Sequence, residues 1–392
     1  MSGLVLETAE SAGAALNGAA GYTPKNILVT GGAGFIASHV VLLLVKKYPQ
    51  YKIVNLDKLD YCACVANLSE IKGYPNYKFI KGNICSSDLV AYLLVEEEID
   101  TILHFAAQTH VDNSFGNSFQ FTHNNIYGTH VLLESAKQAG TIRRFVHVST
   151  DEVYGEGDSD CDPMLENNVL EPTNPYAATK AGAEFIAKSY LRSFNLPVII
   201  TRGNNVYGPH QYPEKVVPKF INQLMRGRPL TVHGSGNNTR NFLFVEDVAR
   251  AFDVIMHQGQ VAHVYNIGGT NEYSVLQVAR DLLKIFGYEG REEEMLTYVE
   301  DRAFNDLRYT INSDKLSALG WHEQMGWRDG LLATVAWYRR YSHRFTNVEL
   351  ALTAHPKAGL EQDAAVYDSA TPRANGDAAV HEGGGGGDGV GF

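Results

Sequence analysis

Two pairs of side chains in this sequence have the types and spacing that proton transfer requires. In the first pair, Tyr176 and Lys180 lie four residues apart in the stretch NPYAATKAG, so a helix would place them on one face. A lysine ammonium beside a phenol stabilises the phenolate and lowers the pKa of the tyrosine toward neutrality. Such a tyrosine could accept a proton from a substrate hydroxyl. The same spacing also occurs by chance on ordinary helix surfaces, which is the competing interpretation.

The second pair is Asp151 and Glu152, two adjacent carboxylates in the stretch HVSTDEVYGE. They follow the short apolar run FVHV, which predicts the end of a buried strand. Open α/β sheets bind ligands at the carboxyl ends of their parallel strands. Adjacent side chains of a continuous strand point in opposite directions, so both acids can serve one site only if the chain leaves the strand there. Gly155 fits such a bend; the competing interpretation is two solvated loop acids.

A glycine-rich turn, TGGAGFIAS, precedes both pairs in the chain. Gly31, Gly34 and Ala37 have the spacing that lets backbone approach a pyrophosphate and lets a helix pack closely on a strand. A plain Gly-rich turn would look similar, but here a strand pattern precedes it and a helical pattern follows. Asp57 ends the next strand pattern, where an acid would hold a ribose diol and repel a 2′-phosphate. This favours NAD over NADP, although the adjacent Lys58 could soften the preference.

The elements that must position these residues alternate between strand and helix. Strand patterns cover 25–31, 51–57, 77–83, 100–107, 143–149 and 197–208, and helical spacing separates most of them. This alternation predicts an α/β protein with a Rossmann doubly wound parallel sheet. The second half, with a helical segment at 245–259 and a short strand at 263–268, predicts a smaller C-terminal substrate-binding lobe. We expect a disordered segment at 1–24, a mainly NAD-binding domain at 25–203, the lobe at 204–355 and a disordered Gly-rich tail at 356–392.

Composition narrows the class of protein. The chain has 392 residues, is 44% hydrophobic and carries a formal net charge of -11, with no basic block that would favour nucleic acid or an anionic membrane surface. Its four cysteines show no zinc-like spacing, and histidines such as His104, His110 and His147 are interpreted as structural. No metal site is predicted. The N-terminus lacks the basic character of a signal or transit peptide, so we expect a cytoplasmic protein.

Five motifs in this order resemble the extended short-chain dehydrogenase/reductase family: GGAGFIAS, HFAAQTHVDNS, STDEVYG, NPYAATK and NNVYGP. Within that family, STDEVYG and YPEKVVPKF resemble the nucleoside-diphosphate-glucose 4,6-dehydratases. The stretches KLDYC, NNIYGTHVLLE, TKAGAE, TRGNNVYGP and FNDLRY are similar to the dehydratase domain of plant-type UDP-rhamnose synthases. The resemblance covers about residues 24–355, and we expect no second, reductase-epimerase domain after the Gly-rich tail.

This resemblance implies NAD-dependent dehydration of UDP-glucose to UDP-4-keto-6-deoxy-glucose, the first step toward UDP-rhamnose. Oxidation at C4 acidifies the C5 hydrogen, Glu152 removes the C5 proton, Asp151 protonates the departing C6 hydroxyl, and hydride returns to C6. Thr150 would bind the C4 hydroxyl beside Tyr176. The alternatives are dTDP-glucose as substrate, a UDP-sugar 4-epimerase, which usually lacks the two acids, or an inactive NAD-binding scaffold.

The resemblance also assigns binding residues one position at a time. For tightly bound NAD these are Gly31, Gly34, Phe35, Ile36, Asp57, Lys58, Asn83, Ile84, Phe105, Ala106, Ala107, Thr109, Tyr176, Lys180 and Asn204. For the nucleotide-sugar, which the resemblance assigns mainly to the lobe at 204–355, they are Thr109, Thr150, Asn205, Lys215, His233, Arg240, Asn266, Arg302 and Tyr309. Ala303, Phe304 and Asn305 match the UDP-glucose branch rather than bacterial dTDP-glucose enzymes. A homodimer through helical segments 124–138 and 178–194 is also implied.

Overall fold

The structure is a computed structural model that describes residues 22–157, 162–301 and 310–353. Its strands are β1 (Asn26–Thr30), β2 (Lys52–Asp57), β3 (Tyr77–Lys81), β4 (Thr101–His104), β5 (Arg144–Thr150), β6 (Val198–Gly203), β7 (Asn205–Tyr207), β8 (Leu230–His233), β9 (Thr239–Phe244), β10 (Val264–Ile267), β11 (Glu272–Ser274) and β12 (Leu296–Val299).

The α-helices of the same residues are α1 (Phe35–Lys47), α2 (Ser87–Glu96), α3 (Val111–Gly116), α4 (Ser118–Phe121), α5 (Gly128–Ala139), α6 (Pro175–Phe194), α7 (Val216–Met225), α8 (Val245–Gln258), α9 (Val275–Ile285), α10 (Glu292–Met295), α11 (Asp314–Ser317), α12 (Trp327–Tyr341) and α13 (Val348–Ala351). Short 3₁₀ segments cover Val65–Ile71, Asp151–Tyr154 and Ser342–Arg344, and a π-helical turn covers Thr122–Tyr127.

Seven parallel strands form the central sheet in the order β10-β6-β5-β4-β1-β2-β3. The strand order reverses between β1 and β4, which is the topological switch point where such sheets bind ligands. β1, β4 and β5 are buried along almost their whole length because helices cover both faces of the sheet. That environment explains why these strands appear in the sequence as continuous apolar runs. The predicted Rossmann sheet is therefore confirmed.

The helices form one layer on each face of the sheet. On one face α1 packs against α8, and the core between them and the sheet contains Val40, Leu44, Phe252 and Ile255. On the other face α2, α5 and α6 pack side by side, over a second core. These two layers hold the carboxyl ends of the strands in fixed register, and the site lies at those ends.

The smaller lobe contains a three-stranded sheet, β11-β9-β7, and the parallel pair β12-β8. Helices α7, α9, α12 and α13 cover these strands with their own apolar core. The predicted strand at 197–208 is divided at Asn204: β6 completes part of the central sheet, whereas β7 joins the lobe. A change of sheet of this kind leaves no mark in an apolar pattern.

The smaller lobe also contains fewer elements than the predicted range 204–355 suggested. β10, predicted as part of the lobe, pairs in parallel with β6 at the edge of the central sheet, and α8 packs on α1. Residues 245–267 therefore belong to the NAD-binding side, because the chain returns to fill the open edge beside β6. The described residues fall within one compact unit. Most of the predicted N-terminal segment and all of the 356–392 tail lie outside the described residues.

None of the helices in the described part of the chain is both long and apolar enough to cross a membrane.

Candidate active site

A single cleft at the carboxyl ends of the central strands contains most of the predicted site residues. Its floor is the turn between β1 and α1. Gly31 has a φ of +73°, and a Cβ there would lie 2.8 Å from the Cα of Ala106 in the neighbouring β4 segment. Only glycine fits this approach of two backbones. The bare turn and the first amides of α1 form a cradle suited to a pyrophosphate.

The acid at the end of β2 is held by backbone amides. Asp57 accepts hydrogen bonds from Ala33 N at 3.0 Å and from Leu59 N at 2.7 Å. Burial nevertheless raises its pKa above the ordinary value. Lys58 does not pair with Asp57, because its ammonium lies 2.9 Å from Asp60 and 3.1 Å from the Asn124 amide oxygen. The geometry fits a ribose diol at Asp57 and leaves Lys58 engaged elsewhere.

The two adjacent carboxylates occupy a sharp change of direction. β5 ends at Thr150, and Asp151–Tyr154 form one 3₁₀ turn. At the start of this turn, Glu152 N donates a hydrogen bond to Thr150 Oγ1 at 3.4 Å. Gly155, at a φ of +86°, ends the turn in a conformation that favours glycine. The chain therefore leaves the strand just before the two acids, and both Asp151 and Glu152 line the cleft.

Both carboxyl groups have raised pKa values. Burial raises the pKa of Asp151 to about 6, although Asn204 Nδ2 at 2.6 Å and Thr150 Oγ1 at 3.1 Å donate to it and favour the ionised form. Burial, and then the charge of Asp151, raises the pKa of Glu152 to about 7. Glu152 accepts from Asn174 Nδ2 at 3.0 Å. The two carboxyl groups therefore titrate as a coupled pair, and Asp151 has one more side-chain donor than Glu152 to favour its ionised form.

Tyr176 and Lys180 lie on the first turns of α6 and line the same cleft. The pKa of Tyr176 is not lowered toward neutrality in this structure, in contrast to the net effect predicted for the pair. Burial, followed by the negative charge of Glu152, raises the pKa of Tyr176, while a hydrogen bond with Thr150 acts in the opposite direction. Lys180 Nζ donates to Val148 O at 2.6 Å, and burial lowers its pKa to about 8.

The other predicted cofactor residues line the same cleft: Gly34, Phe35, Ile36, Asn83, Ile84, Phe105, Ala106, Ala107, Thr109 and Asn204. At the lobe side, Lys215 Nζ donates to Thr109 O at 3.0 Å, which joins the two walls of the cleft. Asn205, His233 and Arg240 also line it. The positive charges of Lys215 and Arg240 lower the pKa of Glu152. The site thus combines two carboxyl groups with two cations from the lobe.

Asn266 does not reach the cleft. Its side chain is fully buried and accepts from Tyr154 OH at 2.8 Å, while its amide donates to Met164 O and Asn312 O at 3.0 Å each. These contacts give Asn266 a role in holding the acid turn from behind. Arg302 and Tyr309, together with Ala303, Phe304 and Asn305, lie outside the described residues.

Asn174, Glu214 and His110 are among the cleft residues that the sequence analysis did not assign to the site. Asn174 caps α6 by accepting from Ala177 N at 2.8 Å and also donates to Glu152; an Asn directly before a Pro at a helix start was the available signal. Glu214, whose carboxylate accepts from Tyr61 OH, and His110, 3.8 Å from Glu214, line the cleft as well. His110 thus lies in the wall of the cleft. Its position in the sequence, without the spacing of a metal ligand, gave no indication of this.

Metal chemistry has no visible support in residues 22–157, 162–301 and 310–353. No group of three or more His, Cys, Asp and Glu side chains among them is arranged to hold an ion.

Comparison with known proteins gives the family. The family model described as GDP-mannose 4,6 dehydratase matches residues 28–334, which is most of the chain. The chain belongs to this family. The match spans the central sheet, the acid turn, the Tyr176–Lys180 helix and most of the lobe.

Curated relatives include plant and animal proteins. The chain is 59% identical over 337 residues to a trifunctional UDP-glucose 4,6-dehydratase/UDP-4-keto-6-deoxy-D-glucose 3,5-epimerase/UDP-4-keto-L-rhamnose-reductase of Arabidopsis thaliana; the match covers 86% of this chain and 50% of that protein. The chain thus spans about half the length of this relative. It is 50% identical to the human dTDP-D-glucose 4,6-dehydratase, with 86% of this chain and 97% of that protein covered.

A solved structure has the same fold. The dTDP-glucose 4,6-dehydratase of Bacillus anthracis in complex with NAD matches with a TM-score of 0.76 and 38% identity, covering 83% of this chain and 99% of that one. The family placement and the Rossmann fold inferred from the motifs are both confirmed.

Proposed function

We propose that this protein is an NAD-dependent UDP-glucose 4,6-dehydratase that forms UDP-4-keto-6-deoxy-glucose. The observation that carries the proposal is the meeting of Asp151 and Glu152 with Tyr176 and Lys180 in one cleft. Oxidation at C4 alone needs only the Tyr-Lys pair, whereas elimination across C5 and C6 also needs a base and an acid. The chain supplies both sets from two neighbouring elements, the end of β5 and the start of α6.

The cradle fits NAD by the criteria that a dinucleotide imposes. The Gly31 turn leaves no room for a Cβ, the first turn of α1 faces the opening, and the Asp57 carboxylate lies at the end of β2. NAD, when bound there, supplies the acceptor of a hydride from C4 and the donor that returns it to C6. The relative from Bacillus anthracis was solved with NAD, which supports this assignment.

Each protein residue then has one task. Tyr176 takes the proton of the C4 hydroxyl, with Thr150 as its hydrogen-bond partner and the Lys180 ammonium favouring the phenolate. Glu152 in its ionised form removes the C5 proton and gives a proton back to C5 when the hydride returns to C6. Asp151 in its protonated form gives its proton to the departing C6 hydroxyl, which leaves as water. These roles require Asp151 to be protonated and Glu152 to be ionised in the substrate complex.

Lys215 and Arg240 favour the ionised form of the base. Both cations lower the pKa of Glu152, and the Arg240 charge also lowers that of Asp151. Lys215 Nζ is held on the Thr109 side of the cleft by its hydrogen bond to Thr109 O. Closing the lobe over a substrate would increase the effect of Lys215 on the base, because the loss of water strengthens electrostatic interactions.

The elimination pair argues against a 4-epimerase, since that reaction inverts C4 without removing water. It also argues against an inactive scaffold, which would have no use for a buried acid pair with raised pKa values. UDP-glucose is preferred over dTDP-glucose because the Arabidopsis relative is more similar than the human dTDP-D-glucose enzyme, at 59% against 50% identity.

We further propose a cytoplasmic homodimer. Exposed aromatic side chains on the π-helical turn and α6, Tyr127 at 46% and Phe185 at 58%, support an interface on that face. Sedimentation equilibrium of the wild-type protein and a Phe185→Lys variant tests it: the wild type should behave as a dimer and the variant as a monomer.

The function itself is tested by incubating the pure protein separately with UDP-glucose and dTDP-glucose and measuring product mass. The expected product has lost one water. An unchanged mass with inversion at C4 would instead identify a 4-epimerase, and no conversion of either substrate would contradict the proposal.

A further inference from the structure

A buried ion pair lies behind the catalytic cleft. Glu184 is fully buried, Arg202 is 1% exposed, and Arg202 donates through Nε to Oε1 at 3.0 Å and through Nη2 to Oε2 at 2.7 Å. Such two-point contact is the strong form of an arginine–carboxylate pair. Even so, the cost of desolvating both charges offsets most of their attraction, so stability alone does not explain why the pair is there.

The carboxylate end of the pair belongs to the Tyr-Lys helix. Glu184 follows Lys180 by four residues on α6, so the two side chains lie one turn apart on the same face. Burial lowers the pKa of Lys180 to about 8, and the negative charge of Glu184 acts in the opposite direction. In the proposed mechanism, Lys180 assists Tyr176 only while the lysine is protonated. The charge of Glu184 therefore bears directly on whether the lysine is active at neutral pH.

The other groups near Lys180 do not supply this charge. His104 from β4 and His147 from β5 are buried, and burial together with the Lys180 charge lowers both of their pKa values, that of His104 to about 3. They are therefore neutral. Lys188 contacts Glu184 from the outer side, with 3.5 Å between Nζ and Oε2. Among the charged groups that the structure describes around Lys180, Glu184 is the one that favours its ammonium form.

The arginine end of the pair contacts the acid turn. The Arg202 guanidinium lies 4.6 Å from the centre of the Tyr154 ring, and Tyr154 is the last residue of the turn that begins with Asp151 and Glu152. On its other side, the Tyr154 hydroxyl donates to Asn266 Oδ1. The guanidinium and the Asn266 amide thus hold the turn from behind, opposite the cleft.

We propose that the Glu184–Arg202 pair positions both halves of the active site: Glu184 keeps Lys180 protonated, and Arg202 fixes the turn that carries Asp151 and Glu152 through Tyr154. The inference rests on the proposed function, because both halves matter only if the Tyr-Lys pair and the acids act in one reaction. Neither residue lines the cleft, so their effect on the reaction is indirect.

The first test is the pH profile of kcat for UDP-glucose conversion in a Glu184→Gln variant. Loss of the carboxylate should move the alkaline decline of the rate toward neutral pH. Each unit of displacement should reduce the rate at a fixed pH above the decline by about tenfold. Glu184→Asp keeps the charge and should restore the wild-type position of the decline. Arg192→Gln, which removes an exposed cation of the same helix, is the matched control and should leave the profile unchanged.

Because Glu184→Gln leaves Arg202 buried and unpaired, the double variant Glu184→Met/Arg202→Met separates folding from positioning. Removing both charges should restore a cooperative thermal transition near that of the wild type. The alkaline decline should nevertheless stay displaced. A double variant with the wild-type profile would overturn the role assigned to Glu184, and so would a failure of both variants to fold, since the pair would then be a requirement for folding.

The second test addresses the arginine end. Tyr154→Leu removes the ring that Arg202 contacts but leaves all charges in place. Solvent exchange at C5 should fall by about tenfold or more while the alkaline decline stays where it is, because a small displacement of a catalytic group has effects of this size. Unchanged exchange would overturn this half of the inference. If the wild-type protein converts neither UDP-glucose nor dTDP-glucose, the proposed function itself has failed, which is a distinct outcome.

Discussion

Separate replacement of Glu152 by Gln and Asp151 by Asn decides which carboxylate removes the C5 proton. The structure makes this a real question, because Asp151 accepts two side-chain hydrogen bonds and Glu152 accepts one. These donors favour the ionised form of Asp151 more than that of Glu152, whereas the proposed mechanism needs Asp151 protonated. If the lobe cations correct this in the substrate complex, Glu152 is the base; if they do not, the roles are exchanged.

The expected losses are large enough to separate the two cases. Loss of a general base or acid reduces its step by roughly 10²–10⁴-fold. Glu152→Gln should therefore suppress removal of the C5 proton and, with it, elimination. Asp151→Asn should suppress elimination to a similar extent, but reversible removal of the C5 proton should continue. Oxidation at C4 should survive in both variants, because Tyr176 and Lys180 are intact.

The pH dependence of C5 exchange provides a second measurable effect of Asp151→Asn. The pKa of Glu152 is raised from 4.5 to about 7, first by burial and second by the charge of Asp151. Asp151→Asn removes the second cause, so the pKa of Glu152 should fall by on the order of one pH unit. A base acts only when it is ionised. The acidic decline of C5 exchange should consequently move to lower pH in Asp151→Asn.

The assay is incubation with UDP-glucose in deuterated water, followed by mass measurement of both recovered substrate and product. Deuterium at C5 of the recovered substrate reports proton removal without elimination. Glu156→Gln, an exposed acid in the same segment, is the matched control and should exchange like the wild type. Wild-type exchange in Glu152→Gln together with lost exchange in Asp151→Asn would refute the assignment and make Asp151 the base. An unmoved acidic decline would refute the coupling between the two acids.

Three further predictions concern the cofactor, the substrate and the stability of the protein. The purified protein should release a dinucleotide on denaturation, because hydride returns in each cycle; full activity of a clean apo-protein without added NAD would contradict the mechanism. UDP-glucose should show a higher kcat/KM than dTDP-glucose in direct competition. A site that hydrogen-bonds the ribose 2′-hydroxyl of UDP-glucose would have unpaired polar groups when the deoxy substrate is bound. A dominant dTDP-glucose product would make the branch assignment wrong. Glu152→Gln should raise the free energy of unfolding at pH 8 and change it little at pH 4. The reason is that the folded pKa of Glu152, about 7, exceeds its ordinary 4.5. Such a carboxyl group stabilises the fold when it is protonated and loses that contribution as the pH rises through 7. The full shift corresponds to about 3 kcal/mol, and partial exposure of the side chain reduces this to about 1–2 kcal/mol, measurable by urea denaturation at the two pH values.

The parts of the site that local sequence determines were predictable. The turn at Gly31 follows from the need for close backbone approach, and the end of β5 at Thr150 follows from an apolar run that meets two acids and Gly155. The Tyr176–Lys180 pair follows from helical spacing, and the helix begins at Pro175 as its preceding Asn174 indicates. In each case, residues close in sequence carry the information.

The parts that failed depend on distant contacts. The pKa of Tyr176 follows from its burial and from Glu152 on another element, neither of which spacing shows. Asn266 was placed at the substrate because its motif matched, but β10 joins the central sheet and turns that side chain toward Tyr154 and Met164. The division of one apolar run into β6 and β7 likewise depends on which strands lie beside it in the fold.

Asn174 shows how the two halves of the site are joined. Its Oδ1 accepts from Ala177 N and so fixes the first turn of α6, on which Tyr176 lies. Its Nδ2 donates to Glu152 Oε2 and so orients the carboxylate that follows β5. One amide thus sets the helix start and the base together, because an asparagine has both an acceptor and a donor at its end. An aspartate would cap the helix equally well but would repel Glu152, so the requirement for an amide comes from the neighbouring carboxylate and not from the helix.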